Sequence, residues 1–123
     1  MRPAIAILFL VETCLYAVAS LTHAGLVLEG HEHRQAMIAE AVISAVLLLG
    51  LTALSLDRPW SRAAAISAQS FALLGTLVGA FTIAVGVGPQ TTLDYMTHVV
   101  MTLLLGLSMV WLARRRNPPA AGF

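Results

Sequence analysis

Four stretches of this chain, approximately 4–28, 35–56, 62–87 and 92–113, are apolar over the length at which a helix crosses a bilayer, and the polar connectors between them are very short. The hydrocarbon layer is roughly 30 Å thick and takes about 20 helical residues to span. With 59% hydrophobic and only 11% charged residues in a chain of 123, a water-soluble fold has too little polar surface to cover the rest; soluble domains carry about 25% charged residues. Short connections make successive helices antiparallel neighbours. The expected fold is therefore an all-α integral membrane protein, a four-transmembrane-helix up-down bundle. Residues 1–113 would form a single domain and 114–123 a basic tail.

Orientation follows from arginine, since the chain has no lysine. With the N-terminus cytoplasmic, Arg2, Arg58, Arg62, Arg114, Arg115 and Arg116 lie inside and Arg34 alone lies outside, as the positive-inside rule requires. Both termini are then cytoplasmic, and Trp60 and Trp111 fall at the inner interface. The expected setting is a bacterial-type inner (plasma) membrane. The first twenty residues imitate a secretory signal, with Ala17-Val18-Ala19 as a small-residue cleavage pattern, but Glu12 interrupts the apolar core such a signal needs. Cys14 has no second cysteine to pair with and reads as a small core residue.

Against this apolar background, LVLEGHEHRQAMIAEAV (residues 26–42) concentrates three carboxylates, two histidines and an arginine. The polar residues fall on single lines of each helix. Eleven residues rotate a helix by only about 20° from register, so Glu12 and His23 share a face of helix 1, with Tyr16 and Ser20 near it. His33, Met37, Glu40 and Ser44 form one stripe of helix 2, Asp94, His98, Met101 and Ser108 one of helix 4, and Gln69 and Thr76 are seven apart on helix 3. Hydrocarbon does not solvate such groups, so the lines are expected to face the bundle interior. With these boundaries His23, Glu40 and His98 lie at one depth, roughly 8 to 9 Å below the outer surface. Glu29, His31, Glu32, His33 and Asp94 roof them. Glu12 lies deeper, with Gln69 as its partner. For His31 and Glu32, plain solvation on a loop is the simpler assignment.

Two imidazoles and a carboxylate from three helices are ligand types for a transition metal. The expected metal set is His23, Glu40 and His98, with His33 and Asp94 as further ligands or as groups orienting the imidazoles. Haem held by His23 and His98 is the other cofactor this pattern allows. No HExxH, ExxH or CxxCH motif narrows the choice. Glu12, with Gln69, is assigned a proton-coupling role, as carrier or as a protonated hydrogen-bond donor. Gly75 and Gly79 form a GxxxG pair on helix 3 and are expected to serve helix packing.

Two function classes follow. One is a membrane-embedded metal or haem binder with an outward-opening His/Glu site. The other is a small proton-coupled transporter: a four-helix chain of this size with Glu12 early in helix 1 resembles the small multidrug resistance family, a resemblance that implies proton coupling through Glu12. The sequence departs from that family in its aromatic residues, since only Tyr16 lies near Glu12. An accessory subunit of a larger membrane complex is a third possibility. Phosphate-binding glycine loops and recognisable nucleophile–base pairs are missing, which favours a non-enzyme and leaves catalysis at a bound metal open. Its expected partner is the lipid bilayer, with a homodimer or a larger complex open and no nucleic acid.

Overall fold

The computed structural model describes residues 2–115. They form four helices, α1 (Pro3–His23), α2 (Arg34–Ser55), α3 (Ser61–Ala84) and α4 (Thr92–Arg114). Of the basic tail, 116–123 lie outside the described residues. All four helices are long and apolar enough to cross a membrane. Only 22% to 28% of the most apolar window of each is buried within the protein. Leu49, Leu74, Phe81 and Leu103 are among the large side chains left outward. Such a surface suits lipid, and the chain is an all-helical multi-pass membrane protein. Cys14, expected in the core, belongs to this exposed surface: it lies off the line of α1 that carries Glu12, Tyr16 and His23.

α1 touches α2, α2 touches α3, α3 touches α4, and the ring closes least tightly between α4 and α1. Phe9, Leu47, Ala65, Ala72, Met101 and Leu105 fill the centre. Backbones approach closely where side chains are small: a Cβ on Gly50 would lie 2.7 Å from Ala68 and 2.9 Å from Phe9. In the GxxxG pair, a Cβ on Gly75 would meet Ile43 of α2 at 2.8 Å, and one on Gly79 would meet His98 of α4 at the same distance. Both glycines thus seat neighbouring helices of the same chain.

Helix 1 stops five residues before the boundary expected at Leu28. Its apolar character runs on through Leu26, Val27 and Leu28, but Gly25 adopts a left-handed φ of 81°. The Gly25 N–H donates to the Thr22 carbonyl (3.0 Å) and the Leu26 N–H to the Leu21 carbonyl (3.1 Å). That pairing is a Schellman termination, which a glycine after the helix end favours. α3 ends in the same way around Gly86, three residues before the expected Val87. Consequently His23 is the last residue of α1 rather than five residues inside it.

Candidate functional site

At the end of the bundle where α1 and α3 finish, hereafter the histidine end, capping interactions place the polar side chains. Thr91 and Asp94 form a capping box at the start of α4. Asp94 Oδ2 accepts from the Thr91 N–H at 3.1 Å and from its hydroxyl at 2.5 Å. The carboxylate is thereby fixed as the cap of α4, and its other oxygen lies 3.5 Å from His23 Nε2. On the opposite side of the same ring, His23 Nδ1 is hydrogen-bonded to Glu40 Oε2 at 2.7 Å. His23 thus bridges carboxylates from α2 and α4 and is itself 9% exposed. The His33 N–H donates to the His23 carbonyl at 2.9 Å. The Ser20 hydroxyl donates to the Met37 carbonyl at 2.8 Å. These bonds clamp the α1 terminus to α2, so the triad rests on fixed backbone.

The other imidazoles surround this triad. His33 caps α2, its Nδ1 accepting from the Ala36 N–H at 3.0 Å, and its ring packs edge-on against His23 with centroids 6.3 Å apart. His31 Nδ1 lies 3.7 Å from Asp94 Oδ2 and has no hydrogen-bond partner. His98 Nδ1 donates to the Asp94 carbonyl at 2.8 Å, while its Nε2 edge faces Gly79. Glu29 and Glu32 are exposed.

Two cavities flank the triad. One, of about 80 Å3, is bordered by His23, His33, Glu40, Asp94 and His98, with Tyr16 and Thr76 also on its wall. The volume has room for several waters. The second, of about 260 Å3, lies between α1 and α4, where Leu15, Val18, Leu93 and Thr97 meet His31 and the triad.

A second polar layer lies deeper. Glu12 is 1% exposed and accepts from Gln69 Nε2 at 2.5 Å and from the Ser108 hydroxyl at 2.6 Å. Gln69 Oε1 is buried without a partner. Between the layers the Tyr16 and Thr76 hydroxyls are hydrogen-bonded to each other. Tyr16 stands one turn beyond Glu12 on the same face, a rise of about 6 Å. Both Glu12–Gln69 and Tyr16–Thr76 cross the middle of the bundle between α1 and α3, which have no close backbone contact.

All five residues expected as metal ligands therefore border one cavity. They do not converge on a point: among the described residues, no group of three or more His, Cys, Asp or Glu is arranged to hold a metal ion. His23 turns both ring nitrogens to carboxylates, and Asp94, not His98, completes the triad with Glu40. The common depth expected for His23, Glu40 and His98 depended on a longer helix 1. α1 ends at His23, yet its imidazole is buried, is hydrogen-bonded to Glu40 and shares a cavity wall with His98. Asp94 was expected as a ligand or as a group orienting the imidazoles, without His23 being singled out as its partner, while Ser108 as a donor to Glu12 was visible only as a member of the helix 4 stripe.

Fold and site together define a four-helix multi-pass membrane protein with a His–carboxylate cluster at one end and a buried carboxylate beneath it. No protein-family model matches the chain, and the comparisons with curated proteins and with solved structures gave no match.

Proposed function

We propose that this protein is a small proton-coupled transporter in a plasma membrane of bacterial type, with the histidine end outward. The observation that carries the reading is His23 held between Glu40 and Asp94, carboxylates supplied by two other helices. Carboxylate–imidazole chains within membrane spans are the usual machinery of proton relays. Protonation of the imidazole changes the charge of a cluster that pins together the ends of α1, α2 and α4, so loading and unloading alter how firmly those ends are held. Glu12 is the deeper station, reached from the cavity wall through Tyr16 and Thr76. The distribution of arginine supports the orientation.

Proteoliposomes enclosing a pH-sensitive dye test this reading. Under an imposed pH gradient the wild type should move protons faster than empty vesicles. His23→Ala and Glu12→Gln should each reduce the flux by at least about tenfold, the scale on which a positioned proton-transfer group acts. Flux in both variants equal to wild type would overturn the reading.

Transition-metal or haem binding is the competing reading, supported by the five potential ligands around one cavity. Elemental analysis with a visible spectrum on detergent-purified protein separates the two. Stoichiometric metal or a Soret band, lost in a His23→Ala, His98→Ala variant, would replace the proton reading with a cofactor one.

A further inference from the structure

At the opposite end of the molecule, Arg2 before α1 and Arg114 and Arg115 at the end of α4 border a groove of about 570 Å3. Its remaining lining among the described residues is Leu107, Val110 and Trp111, with no carboxylate among them. Here the ring of helices closes least tightly, between α4 and α1. The Arg115 guanidinium lies 5.7 Å from the centroid of the Trp111 ring, within cation–π range, and its Nη2 is buried without a hydrogen-bond partner. Arg62 makes the contrast plain: its guanidinium donates to the Leu112 and Ala113 carbonyls at 3.0 and 3.2 Å. It is occupied in capping α4, whereas among the described residues Arg2, Arg114 and Arg115 form no ion pair.

We infer that this groove is a binding site for one anionic phospholipid. Three guanidiniums converging without an acid call for a phosphate, which their planar donor forks match. Leu107, Val110 and Trp111 continue from them toward the apolar middle of α4, so a bound phosphate would leave its acyl chains along the α1–α4 seam. A freely solvated basic end would serve topology alone. It would need neither an apolar floor leading away from the charges nor a buried guanidinium nitrogen left unpaired. The site is independent of proton coupling at the other end.

The test uses the full chain purified in mild detergent, with phosphatidylglycerol, phosphatidylcholine and inorganic phosphate as probes. Lipid retained after washing is quantified by mass spectrometry, and thermal unfolding is followed with each probe. Phosphatidylglycerol should be retained at a fixed ratio to the chain and should raise the unfolding temperature, while phosphatidylcholine and inorganic phosphate should do neither. Each arginine near an anionic headgroup contributes roughly fivefold in affinity. Arg2→Gln with Arg115→Gln should therefore lower retention by at least about tenfold. Arg58→Gln, which removes one charge from the exposed α2–α3 connection at the same end, should leave it unaltered. Val110→Trp keeps every arginine and fills the floor from an exposed position, and should also abolish retention; it guards against misfolding of the double variant. Equal loss in Arg58→Gln would show only a diffuse charge effect, an equal rise with inorganic phosphate would show an anion site without lipid, and absent retention would leave no site. Any of the three overturns the inference.

Discussion

Glu12 draws its two donors from different helices, Gln69 on α3 and Ser108 on α4, so each bond ties α1 to another part of the bundle. Interhelical hydrogen bonds inside a membrane are individually modest. Ser108→Ala should therefore destabilise the protein by about 1 kcal/mol, measured by unfolding in mixed detergent. An unchanged midpoint would mean that the bond does not form. Much of this layer was legible in the sequence. The Glu12–Gln69 partnership follows from depth and from the rule that polar lines face inward. The Glu12–Ser108 bond does not, because it depends on how α4 is rotated against α1. Likewise, Asp94 was readable as a polar residue near the helix 4 start, but its aim at His23 is set by the capping box with Thr91, a matter of rotamer rather than spacing.

For the helices themselves, apolar length fixed their number and order, while their ends were decided by single glycines. The sequence places the end of helix 1 at Leu28 because hydrophobicity continues; backbone conformation stops it at His23. Gly25→Ala should cost roughly 1 to 2 kcal/mol, the penalty of a Cβ in the left-handed region, and it would also crowd Glu32, whose Cγ would lie 3.1 Å from the new carbon. Since that turn carries His23 to its carboxylates, proton flux should fall with stability. Gly79→Ala acts differently. Its Cβ would meet His98 Nε2 at 2.8 Å inside a regular helix, pushing the imidazole off the cavity wall while leaving the bonds of His23 intact. Flux retained in Gly79→Ala but lost in Gly25→Ala would separate the triad from His98; equal loss in both would assign His98 a share in the relay.

Across the whole molecule, polarity is graded from one end to the other. A cluster of imidazoles and carboxylates occupies the histidine end, one buried carboxylate lies in the interior, and at the far end Arg2, Arg114 and Arg115, without an ion pair among the described residues, border a groove. The arrangement gives the bundle a direction, and the α1–α4 seam carries a cavity near each end of it. The account stands or falls on His23 engaging two carboxylates at once. The most direct measurement is the 15N spectrum of histidine-labelled protein in detergent, wild type beside Glu40→Gln and Asp94→Asn. The account predicts that Glu40→Gln changes chiefly the Nδ1 resonance of His23 and Asp94→Asn chiefly its Nε2 resonance. A His23 ring unaffected by either substitution would contradict it.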